Sequence, residues 1–436
     1  MQQIKRIVFI TLVVKIMCST ALSQSPSLNI KTTVDTISLK LADAESMFLK
    51  NNFLLLSQKY NIDAQKALVI QAKLYPNPNI SMYNGPILPV HDVQGRFDSV
   101  GFLKQNDYGV TVSQLIILAG KRNKSVKVAE ANAKLAEYQF YDLLRTLKYT
   151  LRSDFYNIYY LQESAKVYAK EISALQQIVK AFNQQKDKGY IAEKEVVRIQ
   201  AQLYSLQSEY NDLINQINDT QSELRLILQI KPIYINPLPD LKAIENLNPL
   251  QYPLATLIDT AYKNRADLQI AKQTTDISKL NLSYQKSLAI PDLTAGLSYQ
   301  RYGGYVASFQ SANLAIDLPF FSRNQGNIKS AKSTINMNTA SQKSVEASVE
   351  EQVFRAVQKS IDNQKMYKTI DTKFPKDFER LLNEVLINYQ KRNIGLLDFL
   401  DFYDSYKQNT LQLNNIQYNR VQAFEDINFY TGAAMY

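Results

Sequence analysis

The stretch FYDLLRTLKYTLRSDFYNIYYLQESAKVYAKEISALQQIVKAF, Phe140 to Phe182, decides the fold. Apolar residues recur in steps of three and four: Phe140, Leu144, Leu147, Leu151, Phe155, Ile158, Leu161, Ala165, Tyr168, Ile172, Leu175, Val179 and Phe182. That spacing is one seam of a long helix packed on a partner helix. A helix from about Lys121 to Phe182 would be roughly 90 Å long at 1.5 Å per residue. Stalks and tubes use such helices; globular domains seldom do. After a turn at Lys188-Gly189 the seam resumes with Val196, Ile199, Leu203, Leu206, Tyr210, Leu213, Ile217, Thr220, Leu224 and Ile227.

Outward from this stretch, the chain repeats itself. Lys50-Asn51-Asn52 returns 213 residues later as Lys263-Asn264-Arg265, and at the same offset Pro78 falls on Pro291. The second seam returns as Phe399, Phe402, Tyr406, Asn409, Leu413, Ile416, Arg420, Ala423, Ile427 and Tyr430. Repetition at a fixed offset implies two structural halves. The expected organisation is a signal segment over 1–23, a first repeat over 24–230, a proline-rich linker over 231–256 and a second repeat over 257–436. The linker KPIYINPLPD, Lys231 to Asp240, has three prolines and is expected to be neither helix nor central strand. Pro375 should break the second half's long helix.

Composition agrees with long helices. The 436 residues hold only 12 glycines and 13 prolines, so breakers are few. The first residues read as an export signal: Lys5 and Arg6, an apolar Ile7 to Val14, then Ala21-Leu22-Ser23 with cleavage before Gln24. A rival reading is lipoprotein cleavage at Cys18, the single cysteine. The apolar run is too short to span a bilayer. Formal charge is +10; without Lys5, Arg6 and Lys15 it falls to +7, spread thinly. No basic block with interleaved aromatics argues for nucleic acid.

Each half has room for one strand pair: Asn79 to Tyr83 with Tyr108 to Leu115, and Asp292 to Tyr302 with Ser311 to Leu318. Leu293, Ala295, Leu297 and Tyr299 alternate with Thr294, Gly296, Ser298 and Gln300. Tyr83, Tyr108, Tyr299 and Tyr302 lie near strand ends, where aromatic girdles sit. Four strands cannot close a membrane barrel, and an open edge in lipid leaves backbone groups unpaired. Either other copies complete the barrel or the strands are not in a membrane. Three copies would supply twelve strands.

This layout resembles the TolC family of outer-membrane channel proteins over nearly the whole mature chain. The resemblance is carried by LPFFSRNQGNIKSAKS (Leu318 to Ser333), its first-half partner LAGKRNKSVKVAEA (Leu118 to Ala131), and YPNPNIS (Tyr75 to Ser81). The Gly-Lys-Arg form of the first junction looks like the heavy-metal branch of CzcC-like and CusC-like proteins. The resemblance implies a mainly α fold with a membrane β-barrel, in which long coiled-coil helices form a periplasmic tunnel and four strands per protomer contribute to a twelve-stranded trimeric barrel. It places the barrel–helix junction at Pro78, Pro291, Pro319, Arg323 and Gly326. It implies a passive duct in the outer membrane, extending into the periplasm, for a tripartite efflux pump of the RND type or a type I secretion system. Partners would be two further copies, a periplasmic adaptor, an inner-membrane transporter and outer-membrane lipid.

In that family the helix tips close the tunnel, and acidic residues three apart ring the constriction. Asp398 and Asp401 in KRNIGLLDFLDFYDSY (Lys391 to Tyr406) fall there, with Glu195 at the matching place in the first tip; Arg392 and Asn393 replace glycines usual in the family. A plain reading of the acid pair is a solvated helix face. His91, the single histidine, makes no metal site, and Gly303-Gly304 and Gly326 lack the P-loop context. No catalytic set, metal site or cofactor is expected. A second class of function stays open: a periplasmic coiled-coil scaffold or adaptor that conducts nothing.

Overall fold

The computed structural model describes residues 35–84, 90–91, 97–98, 108–301, 308–371, 374–391 and 393–436. The expected signal segment, Cys18, Tyr302 and the Gly303-Gly304 pair lie outside them, as does the side chain of His91. Within them the chain runs β1 (Thr36–Lys40), α1 (Leu41–Asn51), α2 (Phe53–Lys73), β2 (Asn79–Asn84), β3 (Val90–His91), β4 (Phe97–Asp98), β5 (Tyr108–Ile116), α3 (Lys121–Asp187) and α4 (Glu193–Leu228). It continues through β6 (Tyr234–Leu238), α5 (Leu241–Glu245), α6 (Leu254–Asn264), α7 (Ala266–Leu288), β7 (Leu293–Arg301), β8 (Ser308–Ile316), α8 (Gln325–Lys368), α9 (Phe374–Gln390) and α10 (Leu396–Thr431).

The duplication is structural. Adding 213 carries α1 onto α6 residue for residue and the start of α2 onto the start of α7. The break between the paired helices also repeats: Asn52 has φ −68° and ψ 116°, Arg265 has φ −67° and ψ 117°. α3 is one helix of 67 residues, roughly 100 Å long. Its counterpart is interrupted: α8 ends at Lys368 and α9 begins at Phe374, with Pro375 in its first turn, where no amide donor is required. Among the described residues no helix is long and apolar enough to cross a membrane.

The seams read from sequence form the core. Leu151, Phe155 and Ile158 pack with Leu224, Ile227 and the α1 residue Phe48. Nearer the tips, Tyr168, Leu175, Ile199, Leu203 and Leu206 pack with Leu382, Tyr389, Phe399, Tyr403 and Tyr406. A third cluster joins α6, α8 and α10 through Leu257, Val349, Val353, Phe424 and Ile427. Arg420, the charged member of its seam, is fully buried. It donates to Gln364 Oε1 at 2.6 Å and to the carbonyls of Glu245 and Leu247 at 3.2 Å, and lies over the Tyr367 ring.

The proline-rich stretch is neither helix nor central strand, yet it is not featureless. Tyr234–Leu238 is a strand, pairing parallel with β1 in a two-stranded sheet, and Leu241–Glu245 is a short helix. A two-stranded sheet has only edge strands, so Pro237 is tolerated with no donor. Gln221 holds β6 in place, accepting from Ile235 N at 2.9 Å and donating to its carbonyl.

The larger sheet is antiparallel in the order β2-β5-β7-β8. Its register sets Ile80, Val112, Leu297 and Ala312 in one row across all four strands. The adjacent row of the opposite face is Ser81, Thr111, Ser298 and Ser311. In these central rows one face is apolar and the other polar. The tyrosine expectation is corrected in part. Tyr108 and Tyr299 lie on the apolar face, ring centroids 6.5 Å apart. Tyr83 has the opposite parity: it covers Gly109 on the polar face, and its hydroxyl accepts from Gln300.

Candidate functional site

Two regions carry the sequence-derived candidates: the helix tips and the barrel–helix junction. At the second tip, Gly395 precedes α10, and Asp398 in the first turn accepts from its amide at 3.3 Å. The side chain thus caps the helix end. Asp398 and Asp401 are both exposed and one turn apart, hence on one face of α10. Asp404, a turn beyond Asp401, is also exposed and is ion-paired at 3.0 Å to Lys407 a turn further. Asp404 stands about 120° round the helix from Asp398, on the side of the Lys407 contact.

Glu195 is not part of the face that Asp398 and Asp401 share. It lies in a 510 Å³ crevice between the two tips, lined among others by Ile178, Phe182, Tyr389 and Leu396. Tyr389 stacks on Phe399 with centroids 4.4 Å apart, and its buried hydroxyl has no hydrogen-bond partner. Burial, then the charge of Glu195, hold the Tyr389 proton on.

Above the tips the two hairpins meet in a buried ionic cluster. Lys407, 2% exposed, bridges from α10 to Glu209 of α4 at 2.9 Å. Tyr168 of α3 donates to the same carboxylate at 3.2 Å. Glu171, also on α3, is 3% exposed and its Oε1 has no partner. Burial is the largest influence on Glu171 and pushes its carboxyl up to about 8, with Lys407 pulling down and Asp404 and Glu209 pushing up. The sequence hid this cluster because Lys407 and Glu171 each sit one position beside an apolar seam residue, Tyr406 and Ile172.

At the junction, Pro78 directly precedes β2 and Pro291 lies two residues before β7, each ending a helical approach. Asp292 takes two bonds from the first junction: Lys121 Nζ at 2.7 Å and the Leu118 amide at 2.9 Å. Arg122 lies 3.9 Å over the Tyr75 ring and donates to the Lys73 carbonyl. Pro319 follows β8, Arg323 donates its amide to Gln325 Oε1 at 2.8 Å, and Gly326 is in the first turn of α8 with open space around it. Among the described residues no group of three or more His, Cys, Asp or Glu is placed to hold a metal ion.

A duplicated chain of very long paired helices carrying a four-stranded two-faced sheet has the fold of outer-membrane channel-tunnels. Solved structures with that fold superimpose closely. The Campylobacter jejuni CmeC outer membrane channel gives a TM-score of 0.74 at 14% identity, over 90% of this chain and 86% of that one. CusC gives 0.71 at 14% identity, over 90% and 92%. The Neisseria gonorrhoeae MtrE outer membrane channel, in its open state, gives 0.66 at 17% identity, over 91% and 89%. Residues 46–228 match the family described as outer membrane efflux protein. The cobalt-zinc-cadmium resistance protein CzcC of Cupriavidus metallidurans is 20% identical over 297 residues. That match covers 67% of this chain and 66%, just under two thirds, of the relative.

Proposed function

We propose that this chain is the outer-membrane exit duct of a tripartite export system, a passive conduit made by three copies and gated at the helix tips. One observation carries the reading: a four-stranded sheet whose apolar face is bare. Ile80, Met82, Leu297 and Leu314 are each 63% exposed or more, while the opposite face is mostly serine, threonine and asparagine, with Leu115 and Phe309 as its large apolar members. In water such a face would be covered; against lipid it is stable as it stands, with the polar face turned to a lumen. β2 and β8 end the sheet with open edges, and lipid forbids open edges. Twelve strands from three copies close the barrel and leave a pore.

The long helices then cross the periplasm as a tunnel. Asp398 and Asp401, repeated threefold at its narrow end, would attract cations and repel one another, which makes a cation-selective constriction. The name of the CzcC relative speaks of cobalt, zinc and cadmium resistance, and passage of cations suits such a ring. Selection and energy come from the inner-membrane transporter, of RND type or of a type I secretion system, joined through a periplasmic adaptor docked at the tips.

The test is single-channel conductance in planar bilayers, wild type beside the Asp398→Ala/Asp401→Ala variant. A small cation-selective conductance that rises or loses selectivity in the variant supports the duct and its gate. A folded trimer that conducts under no condition, with or without its pump partners, favours the scaffold reading.

A further inference from the structure

Four helix ends meet the larger sheet at one level. α2 stops at Lys73 just before β2 opens at Asn79, and α3 begins at Lys121 just after β5 closes at Ile116. α7 stops at Leu288 before β7 opens at Leu293, and α8 begins at Gln325 after β8 closes at Ile316. The register puts these strand ends on a common edge: Asn79 lies across from Ser113, and Leu293 across from both Ile116 and Ile316. Contacts tie the helix ends together. Arg122 donates to the Lys73 carbonyl, Lys121 holds Asp292, and Asn324 donates to the Gln285 carbonyl at 2.8 Å.

Basic residues gather at this level. The end of α2 brings Lys73, and the start of α3 brings Lys121, Arg122, Lys124 and Lys127. The end of α7 adds Lys286, and the approach to α8 with its opening turns adds Arg323, Lys329 and Lys332. Across 73–75, 118–127, 286–292 and 317–332 nine Lys and Arg therefore face two acids, Asp292 and Asp317, a net +7. That equals the net charge of the whole chain beyond residue 23. Charge that looks thinly spread along the sequence is gathered by the fold into one belt. Asp292 takes Lys121, and Glu130 faces Lys73 at 3.7 Å. Among the described residues Lys124, Lys127, Lys286, Arg323, Lys329 and Lys332 have no carboxylate within ion-pair distance, and all but Lys124 are exposed. Bare rings accompany them: Tyr75, 73% exposed with Arg122 over it, and Phe321, 97% exposed and two residues before Arg323.

We propose that this belt holds the phosphate groups of anionic phospholipid in the periplasmic leaflet of the outer membrane. The inference rests on the membrane-embedded duct proposed above and names the lipid that it meets. The order of chemistry along the molecule argues for lipid. Acyl chains meet the bare apolar strands, Tyr75 and Phe321 lie where chains give way to headgroups, and the cations follow on the helices. At 1.5 Å per residue Lys127 and Lys332 stand only about 10 Å down their helices, and long basic side chains snorkel back toward the interface. The leaflet is the periplasmic one because the belt is on the helical side of the sheet. A zwitterionic headgroup would leave the excess positive charge uncompensated; an anionic one neutralises it. A soluble anionic polymer would also neutralise the lysines, but it would leave Phe321 in water.

The experiment is native mass spectrometry of the full-length protein from mixed micelles of phosphatidylglycerol and phosphatidylcholine with identical acyl chains, with conductance recorded on each preparation. Wild type is set beside Lys124→Gln/Lys127→Gln/Lys329→Gln/Lys332→Gln and beside Phe321→Ala. Wild type should retain phosphatidylglycerol about tenfold over phosphatidylcholine. The glutamine variant should retain the two equally and conduct as wild type does, and Phe321→Ala should retain less of both. Equal retention by a wild type that conducts overturns the belt and leaves the duct standing. A wild type that neither conducts nor retains either lipid overturns the duct itself. Altered ion selectivity in the glutamine variant, with its lipid preference intact, turns the lysines to the lumen and overturns the proposal. Retention of soluble peptidoglycan fragments in place of phosphatidylglycerol, untouched by Phe321→Ala, assigns the charge to the cell-wall polymer instead. Added salt gives a second reading on wild type alone. The preference should fall as salt screens the phosphates, and a preference indifferent to salt is not electrostatic and overturns the belt.

Discussion

Lys407 of α10 lies 2.9 Å from Glu209 of α4, and this contact ties the second helical hairpin to the first. Lys407 is buried while the Glu209 side chain is 39% exposed. Replacing Lys407 by Met strands Glu209 and Asp404 against an apolar seam. Breaking a buried pair costs about 3–5 kcal/mol, and the partial exposure of Glu209 reduces that to roughly 1–3 kcal/mol. Hydrogen exchange should quicken in α9 and the lower half of α10 while α3 near Leu151 stays protected. Equal loss of protection throughout would show that the pair stabilises the whole bundle and not the hairpin contact.

Glu171 gives that same cluster a pH dependence. Its folded-state carboxyl stands near 8 against an ordinary value of 4.5, so folding favours the protonated form. Its stabilising contribution is complete below pH 4.5, falls as pH rises, and is gone above about 8. Wild type should lose stability, of order 5 kcal/mol at most, across that window, and Glu171→Gln should flatten the slope. Melting temperatures of both proteins at pH 5 and pH 8.5 decide it; parallel slopes would exclude Glu171 as the titrating group.

Asp398 has two roles that substitution can separate. Its cap on the Gly395 amide is worth about 1 kcal/mol. Asp398→Asn keeps an acceptor and removes the charge. The amide variant should therefore keep wild-type melting yet lose cation selectivity to the same degree as Asp398→Ala. Selectivity retained in Asp398→Asn would confine the residue to capping.

The two faces of the sheet should respond oppositely to charge. Leu297→Arg places a cation on the bare apolar face and should cost about 2–4 kcal/mol if that face meets lipid at mid-depth. Ser298→Arg, one residue away, points to the polar face and should assemble normally with altered conductance. Recovery of each variant in the outer-membrane fraction is the readout. Equal tolerance of both would remove the sheet from the membrane.

The duplication, the length and seams of the helices, and the position and alternating pattern of the four strands are legible in the order of residues. These are local and periodic properties: a seam every three or four residues and an alternation of two are written in consecutive side chains. Pro375 likewise announced the break between α8 and α9, since a missing amide hydrogen acts wherever it occurs. The tertiary structure alone decided which charges are buried together. Lys407 and Glu209 are 198 residues apart, and nothing in either neighbourhood marks them as partners. It separated Glu195, turned into a crevice beside Tyr389, from Asp398 and Asp401, which sequence position had grouped together. It also made a strand of the proline-rich Tyr234–Leu238, because a two-stranded sheet leaves one side of each strand unpaired. Pairing across the chain depends on where long helices bring distant residues, and that is set by packing of the whole bundle.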